Sequence, residues 1–166
     1  MIQDTSLHNK FMRAALGRAK TASRHGETPV GAVIVRNGKI ISGGRNKREK
    51  GKNALYHAEI SAINAACKKL GGWRLFDCDL YVTLEPCPMC AGAIINARIR
   101  NVYFGASDEK AGSFGSVVDL SKLDYNHKPN VTGGILKQEC SVLLSEFFRN
   151  LRNEKKQMKQ KTSEEE

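Results

Sequence analysis

Apolar residues recur along the chain with two periods, and the switches between them mark alternating helices and strands. Phe11, Met12, Ala15, Leu16 and Ala19 fall at helical spacing, which predicts a helix from about Asn9 to Arg24. Pro29 ends a turn, and Val30-Gly31-Ala32-Val33-Ile34-Val35 reads as a buried strand. Asn37-Gly38 is a two-residue hairpin signal, so a strand from about Lys39 to Gly43 should run antiparallel to the first. A basic, glycine-bearing loop continues through Asn53. Ala58, Ile60, Ala62, Ile63, Ala65, Ala66 and Cys67 make a strongly apolar helix from about Tyr56 to Leu70, closed by Gly71-Gly72. Cys78–Leu84 is a third strand, Pro88–Ala97 a helix, Arg100–Gly105 a fourth strand and Val131–Leu136 a short fifth. From Glu139 onward, Val142, Leu143, Glu146, Phe147 and Arg149 give a helix with two distinct faces, expected to fray beyond about Asn153.

This alternation predicts an α/β sheet with helices on both faces, and a right-handed parallel crossover from the third strand to the fourth. Residues 1–152 are expected to form one domain and residues 153–166 a charged, frayed tail. A chain of 166 residues can bury roughly two-thirds of its unfolded surface, enough for a full core. Apolar runs such as Ala32 to Val35 fall far short of the ~20 residues of a membrane span. The first residues lack a charged head followed by an apolar segment, so a cytoplasmic domain is expected, with no membrane and no secretory signal.

Composition adds a partner. The formal net charge is +10, and the excess is uneven. Arg36, Lys39, Arg45, Lys47, Arg48, Lys50 and Lys52 crowd one stretch against a single acid, Glu49. A second basic stretch runs from Arg149 to Lys161 ahead of Glu164-Glu165-Glu166. Such runs are often solvated faces. Two of them on a small domain also suit an anionic partner, and nucleic acid is the commonest one.

Five cysteines are an odd number, which argues against a closed disulfide framework. Cys67, Cys78 and Cys140 sit in apolar surroundings and read as small core residues. Cys87 and Cys90 form the one C-x-x-C. Pro88 favours the first helical position, which makes Cys87 the N-cap and Cys90 the third helical residue. Their side chains then face the same way and can hold one ion. The helix N-terminus also favours thiolate. His57, in His57-Ala58-Glu59, would be a third ligand. His57 and Glu59 would diverge by about 200° inside a helix, so they share a site only from its first turn. Two thiolates and an imidazole suit zinc, and three protein ligands leave the fourth tetrahedral position for water. A structural zinc would need a fourth Cys or His nearby, and His8, His25 and His127 lie elsewhere.

H-x-E followed by P-C-x-x-C resembles the zinc deaminase signature. The surrounding segments resemble the bacterial tRNA-specific adenosine deaminases: Pro29 to Val33, Thr83 to Ile94, Phe104 to Gly112, Gly115-Ser116, Asn126-His127 and Leu143 to Arg149. The likeness covers roughly Glu27 to Arg152. Asn53-Ala54-Leu55-Tyr56 departs from the short Pro-Thr-Ala-like lead common before the H-x-E, and Gly71-Gly72-Trp73 is not required by the pattern.

The resemblance implies a three-layer α/β/α, cytidine deaminase-like fold with a mixed five-stranded sheet in the order 2-1-3-4-5. It implies one zinc per subunit on His57, Cys87 and Cys90, with Glu59 as the catalytic proton shuttle. The reaction would be hydrolytic deamination of adenosine to inosine at the first anticodon base of tRNA. The substrate would be the anticodon stem-loop, and a homodimer would shape its site. Asn46 would hydrogen-bond the base between Val30 and Leu84. Asp108, Lys110 and Ser113 would lie near the substrate, while Phe148, Arg149 and Arg152 would stack on and clamp the strand. Plainer readings stand beside these: Val30 and Leu84 as core, Asn46 as a turn residue, Arg149 and Arg152 as a solvated helix end. The zinc signature is shared with guanine and cytosine deaminases, so deamination of a free base or nucleotide is the alternative. A zinc-bearing RNA-binding protein without catalysis is a third reading, disfavoured by Glu59.

Overall fold

A computed structural model describes residues 5–164, with side chains to residue 162. Helix α1 (Thr5–Arg24) precedes a hairpin of β1 (Gly31–Arg36) and β2 (Lys39–Arg45). A one-turn helix α2 (Arg48–Gly51) leads to α3 (Ala58–Leu70), β3 (Cys78–Leu84), α4 (Pro88–Asn96) and β4 (Asn101–Ala106). A long loop with one 3₁₀ turn (Leu120–Lys122) returns to β5 (Asn130–Gly133), and α5 (Lys137–Glu164) closes the chain. The sheet order is β2-β1-β3-β4-β5. β1 pairs antiparallel with β2 and β3, while β4 pairs parallel with β3 and β5.

The alternating pattern explains the layers. On one face Ala32, Ile34, Leu80, Val82, Val102 and Phe104 pack against α3 and α4 through Ala58, Ala62, Ala66, Ala91 and Ile94. On the other, Val33, Val35, Tyr81 and Tyr103 meet Phe11, Met12, Ala15 and Leu16 of α1 and Cys140 of α5. The hairpin turns at Asn37 (φ 51°) and Gly38 (φ 70°), the left-handed pair that a two-residue turn of this kind needs. Tyr81 and Tyr103 stack at 4.7 Å, and the Tyr81 hydroxyl lies 2.8 Å from His8 Nδ1.

Gly44 decides how closely α3 lies on the sheet. A Cβ there would stand 2.1 Å from the Ala58 carbonyl oxygen and 2.7 Å from the Ala62 nitrogen. Only hydrogen fits. The first turn of α3 is therefore seated directly on β2.

Three expectations differ from the structure. α2 interrupts the basic loop, because the Glu27 carboxylate accepts the N–H groups of Glu49 (3.1 Å) and Lys50 (2.7 Å) from across the fold. β5 ends at Gly133 rather than Leu136, since Gly134 (φ 90°) and Leu136 (φ 50°) turn the chain out of the sheet. The tail does not fray at Asn153: α5 continues to Glu164, so the boundary at 152/153 falls within one helix. Glu154, Lys155, Lys156, Gln157, Met158 and Lys159 are all good helix formers, and no proline or glycine interrupts them. Residues 165 and 166 of the tail lie outside the described residues.

Candidate active site

Two helix N-termini build the site. His57 caps α3 with extended backbone (φ −82°, ψ 157°), and Cys87 caps α4 in the same way (φ −72°, ψ 173°) with Pro88 after it. Because His57 stands outside the helix, the divergence expected of residues two apart does not arise. Its ring turns toward α4, while Glu59 enters the first turn and is only 3% exposed.

His57 Nδ1 lies 3.6 Å from Cys87 Sγ and 3.6 Å from Cys90 Sγ. All three ligand atoms fall within 4.8 Å of one another. A tetrahedral zinc with bonds of about 2.3 Å to sulfur and 2.05 Å to nitrogen spans an N···S edge of about 3.6 Å. The donor set and its spacing therefore fit zinc without rearrangement. Glu59 is not in the cluster, although its carboxyl interacts with the Cys90 thiol.

Of the three ligands, Cys87 alone is poised to be ionised ahead of a metal, while Cys90 and His57 hold their protons. The hydrogen bond from the Cys90 thiol, aided by His57, outweighs burial and lowers Cys87 to about 4. Donating that bond, together with burial, pushes the Cys90 thiol up. The bond with Cys87 raises His57. Burial holds Glu59 above the usual carboxyl range, as suits a group that must alternate between protonated and ionised forms.

A cleft of ≈ 220 Å³ opens above these groups, lined among others by Val30, Asn46, Leu84 and Asp108. Four of the expected substrate residues thus meet His57, Glu59 and Cys87 in one cavity. Asn46 accepts the Arg48 N–H on Oδ1 at 3.2 Å, and its Nδ2 stands 3.5 Å from the Thr28 carbonyl. Asp108 caps its own turn, its Oδ1 accepting the N–H groups of Lys110 (3.0 Å) and Ala111 (3.2 Å). Lys110 is exposed outside the lining. Ser113 is not brought to the cleft: it is fully buried, donating to the Ala111 carbonyl at 3.1 Å, and its N–H reaches Pro86 O at 2.9 Å. Phe148, Arg149 and Arg152 are exposed on α5, outside the lining, with Phe148 edge-on to Phe147. In the departing lead segment, Leu55 and Tyr56 are exposed, and a Cβ on Gly51 would strike the Tyr56 ring at 2.3 Å.

Thr28, Arg48 and Ala111 line the cleft without having been singled out from the sequence. Arg48 was one of seven cations in a run. Its position follows from Glu27 folding α2 inward, a contact across 22 residues that no local pattern reveals. Glu85 was missed as well. It is 2% exposed, and its carboxylate accepts hydrogen bonds from Asp108, Phe114 and Ser116. Burial would raise this carboxyl, but those donors outweigh it and hold it below the usual range.

The family profile of MafB19-like deaminases matches residues 6–152. The tRNA-specific adenosine deaminase of Bacillus subtilis (strain 168) is 47% identical over 155 residues, covering 93% of this chain and 96% of that protein. That of Rickettsia bellii (strain RML369-C) is 46% identical over 146 residues, covering 86% of this chain and all of its own. A structure solved in studies of A-to-I editing by tRNA:A34 deaminases superposes with a TM-score of 0.79 at 43% identity, covering 81% of this chain and 99% of the other. With this sheet order, this cluster and likeness along nearly its whole length, the chain belongs to the bacterial tRNA-specific adenosine deaminases, within the cytidine deaminase-like superfamily.

Proposed function

We propose that the chain hydrolyses adenosine to inosine at the wobble position of tRNA, with Glu59 as its proton carrier. The observation that carries this reading is a buried carboxylate beside, but outside, a His–Cys–Cys cluster at the floor of a cleft. Zinc on His57, Cys87 and Cys90 would supply acidity, lowering the pKa of a bound water toward about 7.

The remaining work belongs to side chains. A Glu59 carboxylate oxygen takes a proton from the attacking water as its oxygen bonds to C6 of adenine, and Glu59 delivers that proton to ring N1. Glu59 then carries the second proton to the exocyclic nitrogen. The C6–N6 bond breaks and ammonia leaves. Val30 and Leu84 flank the base, and Asn46 holds its edge with hydrogen-bonding capacity left over from its own turn. The cleft admits one base, so the adenosine enters unstacked from a single-stranded loop, the usual target of sequence-specific RNA recognition. Asp108, Lys110 and Ser113 serve the loop beside the cleft, Ser113 by fixing its backbone. Phe148, Arg149 and Arg152 offer an aromatic face and two guanidinium groups to the flanking strand. The active species is a homodimer working in the cytoplasm, where its RNA substrate is found.

The test is direct. Zinc-loaded protein is incubated with an anticodon stem-loop bearing A34, and separately with adenosine, guanine and cytosine. Inosine at position 34, read by sequencing, with little ammonia from the free compounds, is the expected result. Ammonia from a free base and none from the RNA overturns the reading. Sedimentation should give twice the monomer's 18.3 kDa.

A further inference from the structure

The loop after β4 forms one wall of the cleft through Asp108 and Ala111, yet it is neither helix nor strand. Its order has another source. Glu85 is buried, and four donors from three residues of this loop converge on its carboxylate. Oε1 accepts the N–H groups of Phe114 (3.1 Å) and Ser116 (3.0 Å). Oε2 accepts the Asp108 N–H (3.0 Å) and the Ser116 hydroxyl. Gly112 lies against the same group, since a Cβ there would stand 2.4 Å from Glu85 Cδ. The Ser113 N–H, reaching Pro86 O at 2.9 Å, ties the loop to the residue between Glu85 and Cys87. Residues 108–116 thus wrap one carboxylate that accepts on both oxygens, two residues from Cys87. Backbone N–H groups turned toward a common anion form a concave nest. Here the anion is internal.

We propose that Glu85, whose carboxylate is taken up by the loop at the edge of the cleft, is the positioning residue for the substrate wall: it sets RNA affinity by holding residues 108–116 in register with the Cys87 helix. The inference rests on the tRNA reading above. Glu59 and the metal ligands perform the chemistry, so the loop governs how well the RNA sits rather than how fast the bond breaks.

Glu85→Gln tests this. A glutamine presents an NH₂ where two donors now point, so in either flip part of the nest is repelled. KM for the A34 stem-loop should rise about tenfold, the worth of one charge-assisted hydrogen bond, while kcat stays within about threefold. Zinc content should be unchanged. Deuterium exchange should quicken at the amides of Asp108, Phe114 and Ser116, with those of β3 and α3 still protected. A residue that merely stabilises the fold would lower the melting temperature and leave KM and the local exchange pattern alone. That result overturns the proposal, as does a loss confined to kcat that tracks lost zinc.

Should Glu85→Gln fail to fold, Ser116→Ala removes one donor of four and leaves the carboxylate paired. It should raise KM about twofold to fivefold and loosen the same amides. Unchanged KM and unchanged exchange in that variant refute the assignment. If the unaltered protein makes no inosine in the stem-loop, the tRNA reading is what fails; exchange at the three amides still decides whether Glu85 holds the loop.

Discussion

Gly44→Ala separates the seating of the catalytic helix from the chemistry itself. The added methyl carbon would stand 2.1 Å from the Ala58 carbonyl oxygen, against an ordinary contact of at least 3.4 Å, so the gap must open by about 1.3 Å. α3 can rise from the sheet, or β2, an edge strand, can bow away. Either motion acts on the turn that carries His57 and Glu59. Overpacking of this kind costs about 1–3 kcal/mol. In a domain of this size each kcal/mol lowers the melting temperature by roughly 2–4 °C, so a fall of about 2–12 °C is expected. A displacement of about 1 Å at a reacting group can cost about 100-fold in rate. Shared between strand and helix, the shift should lower kcat about 10- to 100-fold. KM for the stem-loop should change less than about threefold, because the loops at the cleft mouth rest on Glu27 and Glu85 rather than on α3. Steady-state deamination, melting and zinc analysis on one preparation supply all the quantities. Wild-type kcat in a protein with an unchanged melting temperature would show that this contact does not set the depth of the helix.

Three further outcomes follow from the site. Glu59→Gln should keep the zinc content and lose about 100- to 10,000-fold in turnover; near-normal turnover would remove Glu59 from its role. In metal-free protein at pH 6–7, iodoacetamide should alkylate Cys87 well ahead of Cys67, Cys78 and Cys140. Cys87 is lowered to about 4 and is ionised throughout that range, whereas burial raises the other three. Added zinc should block the labelling, and equal rates at all four thiols would contradict the assigned polarity. Affinity for the stem-loop should fall with salt at a slope of about −0.7 per phosphate engaged, and Arg149→Ala/Arg152→Ala should flatten it by about 1 to 1.5. A slope unaffected by that double change would place the RNA away from α5.

The sheet was legible in the sequence because its central strands are short apolar runs bounded by turn residues and buried on both sides: Val33, Val35, Tyr81 and Tyr103 belong to one core, and Ala32, Ile34, Leu80 and Val82 to the other. The metal cluster was legible because its spacing relies on local rules, a proline after one cap and a short gap between two thiols. What stayed hidden depends on residues far apart in the chain. α2 has too few residues for any periodicity, and it folds around a carboxylate 22 positions earlier. The wall at 108–116 has no repeating pattern, because its organising centre, Glu85, lies on another segment. The end of α5 was misjudged for the opposite reason. Residues 153–162 bury no apolar face, so hydrophobic spacing is silent there, although Glu154 to Lys159 are each good helix formers.

Trp73, the chain's single tryptophan, is half exposed just past the C-terminus of α3, with the Arg74 guanidinium 4.0 Å from its ring. The 13 residues of that helix put about 20 Å between it and His57 at the other end. Intrinsic indole emission therefore reports on the pole opposite the cleft, and it stays dark to a base entering or leaving. Kinetic traces of RNA docking require an optical reporter carried by the oligonucleotide, while the native fluorophore remains a clean monitor of unfolding.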